Sequence, residues 1–188
     1  MKVVIIGKGT GWHKAPYAVD GKIDGYYGEV WGVNNVCLRR DVDLVFNIHD
    51  LDKHRNHPLF KQTIDHVNKN KIPIVTQKVY SHIPTSIAFP LEHFYRPYFT
   101  NSIDYMVAYA YYKKEVSQID MYGVVMAVGT EYSVQRASLE YWIGVFEGDG
   151  GTVAIHQPTY VCKHPKGLYG YDWDEEDELH VLAREENK

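Results

Sequence analysis

A glycine-rich run, Gly7-Lys8-Gly9-Thr10-Gly11, follows directly on the apolar residues Val3-Val4-Ile5-Ile6. Glycines let a backbone approach a phosphate closely, and successive main-chain N–H groups can point at it. The run departs from the dinucleotide pattern GxGxxG, because its third glycine comes one residue early. It also lacks the Gly-Lys-Ser/Thr ending of a Walker loop. A tight turn would use the same residues. The position at the end of a strand selects the ligand loop, with His13 close behind it.

Two further polar pairs close apolar runs: Asn34-Asn35 after Glu29-Val30-Trp31-Gly32-Val33, and His49-Asp50 after the run that ends at Ile48. Each pair alone serves equally as a turn or a cap. Together they gather hydrogen-bonding groups at strand ends, where a ribose, a base or a substrate hydroxyl would be read. Asp50 is the candidate base or metal ligand, and His49 or His13 the acid–base alternative. His49, His54 and His57 with Asp50 and Asp52 invite a metal reading, but their spacing fits no ligand pattern and hydrogen-bonding histidines explain it better. Mg²⁺ held by one or two carboxylates and substrate phosphates leaves almost no spacing signature, and Asp50 is its best protein ligand. Thr100-Asn101-Ser102 is first a helix-capping sequence. The free N–H groups of that helix start would also attract an anion. Glu131 and Gln135 stand four apart, and Gln135 extends the apolar stripe Leu139, Trp142, Ile143 and Phe146. Arg136 can pair with Glu140 or grip a phosphate with both nitrogens. Glu131 is the third catalytic candidate, as base or metal ligand.

These residues need strands and helices to hold them. Val3–Ile6 is a continuous β-branched run, the mark of a strand covered on both faces. Further strands are predicted at 29–33, 42–48, 71–76, 119–125 and 152–156. Helices are predicted from Pro58 to about residue 70, from the Thr100–Ser102 cap to about 115, and from 129 or 130 to Gly148. Pro16, Gly21, Gly25 and Gly28 argue against a full crossover helix after the first strand. Residues 77–99, with Pro84, Pro90 and Pro97, show no period. They are expected to form a flap that carries His82, His93 and Arg96 toward the site. Alternation of strands and helices implies an α/β fold: a Rossmann-like three-layer domain with a mainly parallel sheet of about six strands. Residues 1–171 form that single domain, and 172–188 an acidic C-terminal tail. Ligands in such sheets bind beyond the carboxyl ends of the strands, near the reversal of strand order.

Composition narrows the functional classes. The chain has 188 residues, 45% of them hydrophobic, enough for a packed core and against dominant disorder. No apolar run reaches the ~18 residues of a membrane span, so no membrane partner is expected. The net charge of −4 argues against a protein that coats nucleic acid. Cys37 and Cys162 are far apart, which excludes a disulfide framework and points to two small apolar residues. The start of the chain does not read as a signal peptide, which makes the cytoplasm the expected compartment. Sixteen tyrosines against six phenylalanines, with ten histidines, suit half-wet pockets and interfaces, and a homo-oligomer stays open.

Several segments resemble a group of small Rossmann-like proteins of tailed phages. They are the opening strand with Gly7-Lys8-Gly9, Trp31-Gly32-Val33-Asn34, the run from Tyr98 to Met106, Tyr122-Gly123-Val124-Val125-Met126, and the run from Glu131 to Arg136 continued by Glu140-Tyr141-Trp142-Ile143-Gly144. More distantly the chain is similar to the MptE-like family, with pterin pyrophosphokinase activity, and to sialyltransferase-like nucleotide-sugar enzymes. Where such proteins often carry an acid after the glycine of the fifth strand, this chain has Val124, so no acid acts from there. The resemblance implies a host-cytoplasmic phage protein that takes a phosphate-containing small molecule, a nucleotide or nucleotide sugar, with Mg²⁺ as the one cofactor to consider. The leading expectation is a transferase of phosphoryl, diphosphoryl or glycosyl groups. The alternative is a non-catalytic nucleotide-binding accessory protein.

Overall fold

The structure, a computed structural model, describes residues 1–127, 129, 131–163 and 167–172. Its central strand is β1 (Lys2–Ile6), buried at every position, as a β-branched run between two neighbours should be. β2 (Lys22–Ile23) and β3 (Tyr26–Val33) form a hairpin whose turn residues Asp24 and Gly25 both have positive φ. There follow β4 (Leu44–Phe46), α1 (Pro58–Asn70), β5 (Ile74–Thr76), β6 (Ser86–Ala88), α2 (Ser102–Tyr112), β7 (Gln118–Tyr122), α3 (Tyr132–Gly148) and β8 (Thr152–Ile155). The sheet order is β6-β5-β4-β3-β1-β7-β8, all parallel, with β2 paired to the outer part of β3. The chain builds outward from β1 to β6, then crosses back over α2 to add β7 and β8. The order therefore reverses between β1 and β7.

Three layers result. Successive strand residues face opposite sides. On one side Gly32 lies under Val36 and Val42, and α1 packs beside the short 3-10 helix Asn34–Leu38. On the other side Trp31 and Phe46 meet Tyr109 of α2, with ring centroids 5.7 and 5.4 Å away. α3 packs against α2 on that same side. Between β1 and β3 there is no crossover α-helix: Trp12–Lys14 is a 3-10 turn and the β2 hairpin follows. Arg40 holds this stretch, donating from Nη1 to the Ala15 carbonyl (3.0 Å) and from Nη2 to that of Pro16 (2.8 Å). Lys2 ties the hairpin to the sheet, between Asp24 (2.9 Å) and the buried Asp120 (3.0 Å).

The segment 77–99 is not the structureless flap expected of it. Ser86–Ala88 is the edge strand β6, and three residues are too short to show a period. The aromatic residues that follow anchor it: Phe94 sits at 5.2 Å from Trp142, and Phe99 stacks on Trp142 at 5.0 Å and on Tyr105 at 4.2 Å. Trp142 Nε1 donates to the Tyr98 carbonyl at 2.8 Å. His93 and Arg96 are left on the exposed surface. The predicted strands 42–48 and 119–125 are also shorter than expected. The second stops because Gly123 takes φ 66. Apart from Asp172, the acidic tail lies outside the described residues, as does Thr130. Among the described residues no helix is long and apolar enough to cross a membrane.

α2 begins with a capping box. Asn101 Oδ1 accepts from the N–H groups of Ile103 (2.9 Å) and Asp104 (3.1 Å), while Asp104 Oδ2 accepts from those of Thr100 (2.7 Å) and Asn101 (3.1 Å). Asp104 is fully buried and also accepts from Ser138 Oγ of α3 at 2.6 Å, so one carboxylate joins the two helices. Burial pushes its pKa up to about 6, while hydrogen bonds from Ser138 and from the main chain at Thr100, Asn101 and Tyr105 act against that rise. Between pH 3.8 and 6 the folded chain therefore holds a proton that the unfolded chain has released. The stability this group contributes is complete below pH 3.8 and is lost as the pH rises through 6. Asp104→Asn, a neutral isostere, should flatten the fall of stability across that window by roughly 3 kcal/mol. Urea unfolding of both proteins from pH 4 to 7 measures it, and parallel curves would refute the assignment.

Candidate functional site

The carboxyl end of β1 enters the point of strand-order reversal, and there the glycine run is packed against the exit of β7. Gly7 N–H donates to the Tyr122 carbonyl and Gly9 N–H to that of Gly123, both at 2.8 Å. A side chain at Gly7 would run into the Gly123 carbonyl. One at Gly9 would lie 2.7 Å from Val125 Cγ2 and 2.8 Å from the Gly123 oxygen, and one at Gly123 would lie 2.8 Å from Trp12 Cβ. These glycines allow two backbones to touch. Val124, the residue after Gly123, is buried and packs against Gly7. Gly11, at φ 92, lies beneath Gln157 and Pro158, and Thr10 and His13 are exposed. Replacing Gly9 therefore disturbs the fold and cannot report on ligand binding alone.

Closure of that crevice leaves the opening one strand over, above β1, β3 and β4. A cleft of about 70 Å³ there is lined by Lys8, Asn34, Asn35, Asn47, His49 and the first two turns of α1 at Leu59, Phe60 and Thr63. Asn34 can hold φ 52 because its short polar side chain tolerates the left-handed region. It turns the chain into the 3-10 helix and sets Asn35 beside it. Asn35 is 8% exposed and Asn47 2%. The Oδ1 atoms of Asn34, Asn35 and Asn47 are all buried and without a hydrogen-bond partner among the described residues. Buried polar atoms are almost always satisfied, and an unmet one costs about 1–3 kcal/mol. Three such atoms stand around this one cleft. A carboxamide offers one acceptor and two donors, which suits sugar hydroxyls and base edges.

Lys8 is exposed and makes no ion pair among the described residues. His49 rests edge-on against Phe60 at 5.4 Å. Its pKa is lowered, first by burial and then by the charges of His54 and Lys8, so the imidazole is neutral and can accept a proton. The N-cap of α1, His57, makes no side-chain bond to the first turn, and Pro58 has no N–H to offer. The first turn of α1 thus reaches the cleft at Leu59 and Phe60 without a side-chain cap.

The other candidates stand apart. Asp50 Oδ1 accepts from the N–H groups of Asp52 (3.1 Å) and Lys53 (3.2 Å), which makes it a turn residue outside the cleft lining. Among the described residues no three His, Cys, Asp or Glu side chains group to hold a metal ion. Thr100 and Asn101 serve the cap of α2, and Ser102 is its first residue, so the N–H groups at that helix start donate to Asp104 and Asn101. Glu131 is exposed. Gln135 contributes its carbonyl, which accepts from Asn101 Nδ2 at 3.0 Å. Arg136 pairs with Glu140 at 3.3 Å and donates to the Tyr160 carbonyl at 3.3 Å, fastening α3 to the chain beyond β8. Sequence reasoning passed over Asn47 and Thr63. The signals were present: an amide closing the apolar run Leu44-Val45-Phe46, and a hydroxyl one turn before the buried Val67.

No family model, no curated protein and no solved structure matches this chain. The geometry itself provides a test that needs no ligand. Asn47→Leu keeps the size of the side chain and removes an unmet polar group. It should raise the stability of the free protein by about 1 kcal/mol, read by urea unfolding. A loss of stability would mean that Asn47 serves the fold.

Proposed function

We propose that the protein binds a phosphate-bearing small molecule, a nucleotide or nucleotide sugar, with one end in the cleft above β1, β3 and β4 and the remainder over its rim, and acts on it as a transferase. The observation that carries this reading is the gathering of Asn34, Asn35, Asn47 and His49 around one cleft beside Lys8, which forms no ion pair among the described residues. Lys8 and the first-turn N–H groups of α1 take the phosphate, since a helix N-terminus and an ammonium both favour negative charge. The carboxamides take the sugar hydroxyls or a base edge. His49 accepts the proton of the attacking hydroxyl, whose oxygen bonds to phosphorus or to the anomeric carbon. The leaving group departs with the bond's electron pair onto a phosphate oxygen held by Lys8. Mg²⁺ enters this proposal only with the ligand's own phosphates, because the cleft lining holds no carboxylate. That same lack favours one second reading, a protein that holds the nucleotide without turning it over.

Thermal-shift and calorimetric titration of nucleoside phosphates and nucleotide sugars, with and without Mg²⁺, tests the proposal. Lys8→Ala and Asn35→Ala should each weaken binding by about tenfold or more, the scale of a charged or buried hydrogen bond. Wild-type affinity in both variants would overturn it. His49→Asn separates the two readings: a transferase loses turnover and keeps its ligand, whereas a binding protein shows no turnover to lose.

A further inference from the structure

Phe60 is shared between the cleft and a larger cavity of about 280 Å³. Three parts of the chain converge on it: Leu51, Arg55 and Asn56 of the loop after β4, the outer side of α1, and His82 of the loop before β6. Leu51, Phe60 and Ile64 provide apolar surface, while Arg55, Lys61 and Asp65 stand exposed at the rim. Lys61 and Asp65 are one turn apart on α1, yet they form no ion pair, nor does Arg55 form one with any described residue. The nearby acid of the loop, Asp52, is occupied by Lys78 at 2.9 Å. The common wall is braced: His54 stacks on the Phe60 ring at 4.9 Å, and His49 and His57 meet it edge-on at 5.4 Å.

We infer that this cavity is a second ligand site, for a compact organic anion. Arg55 and Lys61, neither of which forms an ion pair among the described residues, stand against one acid and give the rim a net positive charge. The apolar surface beneath accepts a flat hydrocarbon or heterocyclic body, and the volume lies near the lower end of small-molecule pockets. The guanidinium of Arg55 offers paired donors to a carboxylate or phosphate, and Lys61 adds a mobile charge. This site goes beyond the proposed function and does not rest on it, since the braced ring of Phe60 stands between it and the cleft that His49 lines.

The test uses 2-naphthoate and its uncharged counterpart 2-naphthamide on the full chain, followed by methyl NMR and calorimetry. Naphthoate should shift the Leu51 and Ile64 methyl signals and bind at least about fivefold tighter than the amide. The exposed pair Arg55→Ala/Lys61→Ala should weaken it about tenfold, and Asp65→Asn should tighten it. Equal binding of acid and amide, indifference to these substitutions, or methyl shifts confined to other regions would each overturn the inference. Lys8→Ala keeps the two proposals distinct, since it should weaken nucleotides and leave naphthoate alone. Charge-dependent naphthoate binding with no response to any nucleotide would leave the second site standing and defeat only the proposed function.

Discussion

Backbone-to-backbone contact at the exits of β1 and β7 constrains everything above the sheet. Gly7 and Gly9 donate their N–H groups to carbonyls of Tyr122 and Gly123, and no side chain fits between the two segments. In an open parallel sheet the reversal of strand order normally leaves a crevice for a ligand. Here that crevice is filled by main chain, with Trp12 over Gly123 and Val124 against Gly7. The open space moves one strand over, where the 3-10 helix after β3 occupies the place of a full helix and leaves room beside α1.

The two faces of the sheet divide the work. On the α2–α3 side, aromatic rings from Trp31, Phe46, Tyr109, Phe99 and Trp142 interlock, and one buried carboxylate joins the helices. Such a face resists change, since interiors pack like crystals and tolerate few voids. The α1 side holds the partnerless amides, the histidines around Phe60 and both cavities. Unmet buried polar groups weaken a fold, and both faces carry them, since Asp104 Oδ1 on the α2–α3 side is also without a partner among the described residues.

Charge follows the same division. Two acids of the α1 face are engaged in turns and ion pairs, Asp50 with main-chain N–H groups and Asp52 with Lys78, which leaves Asp65 at the cavity rim. Lys8, Arg55 and Lys61 are without such partners among the described residues. A chain with a net charge of −4 thus presents local positive charge where its cavities open. Neutral His49, lowered in pKa by burial and by neighbouring cations, adds a proton acceptor without cancelling that field.

Much of the architecture was legible in the residues themselves. Val3–Ile6 announces a central strand because both faces are apolar, Pro58 and Asn101 mark helix starts through local chemistry, and the alternation of elements implies a parallel sheet. Lys8, Asn34, Asn35 and His49 were identifiable as polar ends of strands, and the structure brings these four into one cleft. Local signals stop there. β6 spans only three residues, and its evidence lies in hydrogen bonds to β5 and in aromatic contacts with Trp142. The partner of Gly9 is Gly123, and that of Asp104 is Ser138; both depend on strand order and helix packing, which periodicity does not encode. Thr100, Asn101 and Arg136 carry residue types that suit an anion, but tertiary packing commits them to a cap and to an ion pair. Asn47 becomes conspicuous only once burial leaves its oxygen without a partner. Sequence determines what each short segment prefers, because those preferences arise between near neighbours. Which preferences are met, and which polar groups are left without a partner, is decided only when distant segments pack and exclude water.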